Sequence, residues 1–93
     1  METQNSKKHK TPIQNLYSLY DNASQLYWAP FAAENDDVAK RSLRMMAVDE
    51  RSIISKAPND YSLYLVGDFD PDDGQLSPLS KPLKISTVSE LIS

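Results

Sequence analysis

The sequence predicts a small α+β domain: an antiparallel sheet of about four strands, in the order ββαββ, with one main helix packed on one face. Three observations predict it. Residues 61–69 alternate along a strand, Asp70-Pro71-Asp72-Asp73-Gly74 turns that strand back, and residues 36–48 carry an apolar stripe at helical spacing. Ninety-three residues suit one domain with a modest core.

Residues 1–12 are polar and read as a flexible tail ahead of a single domain over 13–80, with 81–93 as an extended C-terminal segment. Residues 13–21 are rich in strand formers, and Asp21-Asn22-Ala23-Ser24 supplies turn chemistry. Residues 26–33 read as a second strand, which Pro30 makes an edge strand or interrupts, because proline cannot donate to a ladder. Asn35 is a helix cap, and Asp36 and Asp37 complement the helix dipole in the first turn. Ala39, Leu43, Met46 and Ala47 form the apolar stripe, and residues 50–56 can add another helical turn before Pro58.

In the strand 61–69, period-2 alternation places Tyr61, Leu63, Leu65 and Phe69 on one face. In the turn, proline suits the first central position and Gly74 the positive-φ position that closes it. The strand returns over 75–79, and Pro78 and Pro82 limit its pairing. Thr87 with Glu90 matches a capping box for a last turn of helix. The expected core is Leu43, Met46, Leu63, Leu65 and Phe69. One helix cannot cover four strands on both sides, so the second sheet face needs water, the tails or a partner.

Composition narrows the chemistry. There is no cysteine, and the only histidine, His9, lies in the polar tail, so disulfides, zinc sites and histidine catalysis have almost no raw material. Asp68, Asp70 and Asp72 imitate the start of a calcium loop, but the sixth position is Asp73 rather than glycine and the twelfth is Leu79 rather than glutamate. No apolar run approaches the roughly 20 residues of a membrane span, and no apolar stretch follows the N-terminal lysines, so a cytoplasmic protein without cofactors is expected. The net charge is −3, from 10 basic and 13 acidic residues, which opposes a dedicated nucleic-acid coat.

The candidate nucleic-acid contacts are Lys40, Arg41 and Arg44 on the helix and Lys7, Lys8 and Lys10 in the tail. The helix cations suit phosphate contact, or a solvated face paired at i,i+4 with Asp36 and Asp37. Tyr20, Trp28 and Tyr64 are the candidate interface residues, within an aromatic set that also holds Tyr27, Phe31, Tyr61 and Phe69: sheet aromatics stack unpaired bases, or pack in the core and in a homodimer interface.

Three blocks then carry a family resemblance: Asn15-Leu16-Tyr17-Ser18-Leu19-Tyr20-Asp21, Pro30-Phe31-Ala32-Ala33-Glu34-Asn35-Asp36-Asp37-Val38-Ala39, and Asp60-Tyr61-Ser62-Leu63-Tyr64-Leu65-Val66-Gly67-Asp68-Phe69-Asp70 closed by Gly74. Together, over about residues 15–80, they resemble the small nonstructural protein of gokushovirus-type microviruses, phages with circular single-stranded DNA genomes. The resemblance implies a non-enzymatic accessory protein outside the virion, in the host cytoplasm, acting in genome replication or the switch to single-stranded DNA synthesis and packaging. Single-stranded DNA, or a phage or host replication protein contacted without DNA binding, would be its partner.

Overall fold

The structure, a computed structural model, describes residues 11–93. Strand β1 (Gln14–Asp21) pairs on one side with two short strands, β2 (Leu26–Tyr27) and β3 (Phe31–Ala33), and on the other with β4 (Tyr61–Phe69). The long strand β5 (Leu76–Thr87) pairs with β4, so the main order is β2-β1-β4-β5, antiparallel throughout. Helix α1 (Asp36–Ala47), the single turn α2 (Ile53–Lys56), a 3₁₀ turn at Pro58–Asp60 and the C-terminal α3 (Val88–Ile92) complete the α+β fold.

The expected second strand is interrupted where Pro30 requires it. Residues 28–30 leave the ladder, although the Trp28 N–H still donates to the Leu19 carbonyl at 2.8 Å. Both hairpin turns use one device. Asp21 and Asp70 each accept, through Oδ1, the N–H two residues on (2.9 Å in both), and through the carbonyl the N–H four residues on (2.7 Å in both). The residue donating last takes positive φ: Gly74 at 79° and Gln25 at 61°. Glycine does this without strain, whereas Gln25 sits in a region that costs an L-residue roughly 1–2 kcal/mol.

The core lies between one sheet face and the helices. Tyr17, Leu19, Tyr61 and Leu63 from the sheet meet Ala39, Leu43 and Ala47 from α1, Ile54 from α2 and Val88 from α3. The Asn35 side chain caps α1 by accepting from the Val38 N–H at 2.9 Å, as the sequence predicts.

Two expected core residues fall elsewhere. Met46 is 39% exposed: the buried stripe centres on Leu43, and Met46 is about 60° round the helix from it. Phe69 is separated from the core by a bulge. Tyr17 pairs with Leu65 but Leu16 pairs with Gly67, so Val66 is an extra residue and every later side chain of β4 changes face. Leu65 stays on the core side, partly buried, while Phe69 pairs with Gln14 on the opposite face.

The prolines limit pairing as expected, but they do not end the strand. Leu65 pairs with Leu83 and Gly67 with Pro78, so residues 79–82 bulge away from β4 between Pro78 and Pro82, and pairing resumes beyond them. At Gly67 the backbones approach so closely that a Cβ would collide with the Ser77 carbonyl oxygen and come within 2.9 Å of Pro78 Cα. The residues read as an extended C-terminal segment, 81–93, therefore belong to the packed domain. The first part completes β5, and Val88, fully buried, docks α3 into the core behind a formed Thr87–Glu90 capping box.

Candidate functional site

Helix α1 buries Ala39, Leu43 and Ala47, which directs its cations away from the sheet. Lys40 borders a shallow open cleft of about 460 Å³, with Asn15, Asn35, Asp36 and Asp37. Beneath the cleft, the Tyr17 hydroxyl donates to Asp36 Oδ1 at 2.6 Å and accepts from Asn15 Nδ2 at 2.9 Å. Asp36 is thus engaged by the core. Among the described residues, neither Lys40 nor Arg41 forms an ion pair, so the i,i+4 pairing with Asp36 and Asp37 is not made. Arg44 is used differently: its Nε donates to the Leu91 carbonyl at 3.2 Å, tying α1 to the end of α3. Arg51, close by in sequence, is paired with Asp49 at 3.0 Å. Lys7, Lys8 and Lys10 lie outside the described residues.

Burial, and then the hydrogen bond to Asp36, push the Tyr17 phenol up to about 12. Its ordinary value is about 10, so the folded state favours the neutral form. That stabilisation is complete below pH ~10 and is lost as the pH rises through ~12, when the unfolded chain ionises first. Roughly 2–3 kcal/mol is at stake over that window. Tyr17→Phe is expected to flatten the alkaline decline of unfolding free energy relative to wild type. Parallel declines for the two proteins between pH 9 and 12 would disprove the assignment.

The second surface is the sheet face away from the helices. Tyr20 pairs with Tyr27 across β1 and β2 and with Ser62 on β4, where Ser18 faces Tyr64, so the three tyrosines share one side. Their ring centroids are 4.8 Å (Tyr20–Tyr27), 5.4 Å (Tyr27–Tyr64) and 6.0 Å (Tyr20–Tyr64) apart, inclined at 57–80°. Tyr27 is 45% exposed, and its phenol is raised by burial and then by Tyr64 and Tyr20. Tyr64 pairs in turn with Lys84 on β5.

Trp28 does not join this group. One residue past Tyr27 it points to the helix side, where its ring meets Tyr61 edge-on at 5.6 Å. The structure therefore brings Tyr20 and Tyr64 together with Tyr27 of the wider aromatic set, adds Lys84, which was not among the candidates, and removes Trp28. The period-2 rule applied to a short hairpin at 20–27 places Tyr27 beside Tyr20; the register of Lys84 depends on bulges in β5.

The carboxylates at 68–73 form a turn, as their spacing predicts. Asp70 accepts from the Asp72 N–H and Asp73 from the Gln75 N–H, each at 2.9 Å, and Asp72 Oδ1 also accepts from the Thr11 N–H at 3.3 Å. Among the described residues no group of three or more His, Cys, Asp or Glu could hold a metal ion, and no helix is long and apolar enough to cross a membrane.

The model of a protein family described as phage ORF5 protein matches residues 14–91. The chain belongs to the phage ORF5 protein family. It is a phage protein, which agrees at that level with the resemblance carried by residues 15–80. The ORF5 match opens at the first residue of β1 and closes within α3, so it takes in the second half of β5 and the docked helix as well as the three sequence blocks. No curated protein and no solved structure matches the chain.

Proposed function

We propose that this ORF5 protein is a non-enzymatic accessory protein of a gokushovirus-type microvirus. It binds nucleic acid weakly and acts in genome replication or the switch to single-stranded DNA synthesis and packaging, in the host cytoplasm and outside the virion. The observation that carries this reading is the state of the α1 cations. Lys40 and Arg41 have carboxylates one turn away, yet Asp36 is held by the Tyr17 hydroxyl and neither cation is in an ion pair among the described residues. Two cations outside any ion pair on the solvent side of a helix suit phosphate contact, and each such contact releases condensed counterions. The overall charge of −3 keeps affinity modest and confines binding to the cationic surface. No sequence motif of the chain matches a known base-reading element, so sequence preference is expected to be weak.

Titration of labelled single- and double-stranded DNA at two salt concentrations tests this. Affinity is expected to fall steeply with salt, and replacing Lys40 and Arg41 together with Ala to weaken binding to all sequences alike. The double substitution should reduce the log–log salt slope by about 1.4 for single strands, two contacts at ~0.7 each. Arg44→Ala should have a smaller effect on binding, because its guanidinium is held at Leu91. If wild type binds nothing even at low salt, the protein is instead a dimeric interaction module for a phage or host replication protein.

A further inference from the structure

We propose that the helix-free face of the sheet is a stacking platform for unpaired bases, formed by Tyr27, Tyr20 and Tyr64 with Lys84 at its edge. The proposal rests on the nucleic-acid reading and names a second, chemically different contact.

The strand order sets these residues in one row across the sheet: Tyr27 on β2, Tyr20 on β1, Tyr64 on β4 and Lys84 on β5. Between them lie Ser18 and Ser62, only 2% and 5% exposed. Ser18 also donates to the Trp28 carbonyl at 2.6 Å, which ties β1 to the outer segment following Tyr27. The result is a tyrosine-lined surface over small residues, open to solvent at Tyr27.

Charge decides what fits it. The strand positions facing this side along β1 and the first part of β4 are Gln14, Leu16, Ser18, Tyr20, Ser62 and Tyr64, none of them acidic. Asp21 points the other way, and together with Asp60 its field acts on Tyr61, on the helix side. The acidic turn begins six residues beyond Tyr64, about 20 Å along the strand, more than two Debye lengths at physiological salt. The carboxylate that feels the Lys84 charge is Glu90, in the first turn of α3, and it is held by the Thr87 N–H and by the Thr87 and Ser86 hydroxyls. A second copy of the chain fits less well. Isologous pairing of this face would bring both Lys84 side chains into one interface with no strand carboxylate to neutralise them. Bases supply π-faces for the rings, and their phosphates supply the anion for Lys84.

The sheet separates this row from Lys40 and Arg41, so the two contacts can be told apart. A cation on a helix attracts single and double strands alike, whereas tyrosine rings stack only bases that are not paired.

The experiment uses the full chain with fluorescent oligothymidine of about 20 nucleotides and a duplex of equal length at low salt. Tyr27→Ala should weaken single-strand binding by about 5- to 100-fold, the equivalent of ~1–3 kcal/mol per stacked base, and leave duplex binding unchanged. Tyr27→Phe, which keeps the ring, should bind as wild type does. Tyr64→Ala should repeat the selective loss, and Lys40→Ala with Arg41→Ala should weaken both substrates. If Tyr27→Ala leaves single-strand affinity intact while the Lys40/Arg41 variant loses it, the platform is refuted and the proposed function stands. If wild type binds neither oligonucleotide, both fall. A dimer in light scattering that Tyr27→Ala converts to monomer would assign the face to a second copy and overturn the platform.

Discussion

Leu63→Ala is expected to cost about 2–5 kcal/mol of unfolding free energy, the range for a leucine removed from a packed core. Leu63 is fully buried in the middle of β4, paired with Leu19 in the cluster that receives Leu43, Ile54 and Val88. The cluster around it draws on the sheet and on all three helices, so the space it leaves is not filled by a small shift of one element. For a domain of this size the loss is a large fraction of a total of roughly 5–14 kcal/mol. Urea unfolding is the measurement, with an unchanged slope showing that stability alone has moved. A cost below roughly 0.5 kcal/mol would mark a surface position and contradict the packing described above.

Removing residues 88–93 is expected to cost a similar amount, about 3–5 kcal/mol. Burying a valine side chain is worth roughly 1.5–3 kcal/mol. The deletion removes the fully buried Val88 and the half-buried Leu91, and it takes away the carbonyl that holds Arg44. It also uncovers the part of the core that α3 closes. At roughly 4–8 °C per kcal/mol for a domain this small, the melting temperature should drop by well over 10 °C. A shortened chain that melts where wild type does would show that 88–93 is an appendage rather than a wall of the core.

The legible parts of the fold share a property: the information lies within a few residues. Asn35, Asp36 and Asp37 announce α1 because a cap bonds its own first turn, and the Ala39–Leu43–Ala47 stripe faces inward because helical spacing is local. The turn at 70–74 follows from Asp70, Pro71 and Gly74 in the same way. The cations of α1 could be listed from the sequence, but not which of them is engaged. That depended on Tyr17, 19 residues before Asp36, and on Leu91, 47 residues after Arg44.

By itself, then, the sequence determined the α+β class, the place of the main helix, the interruption at Pro30 and a sheet with one uncovered face. The sequence put Tyr20 and Tyr64 among the candidates for that face; tertiary structure decided that Trp28 leaves it and that Lys84 and Phe69 join that side. Period-2 alternation holds only while two strands keep register. The extra residue at Val66 reverses it for Phe69, and the bulges of β5 set Lys84 beside Tyr64. The docking of Val88 depends likewise on strands and helices meeting across the chain. The free energy of such long-range contacts comes from burying surface that only the assembled fold brings together.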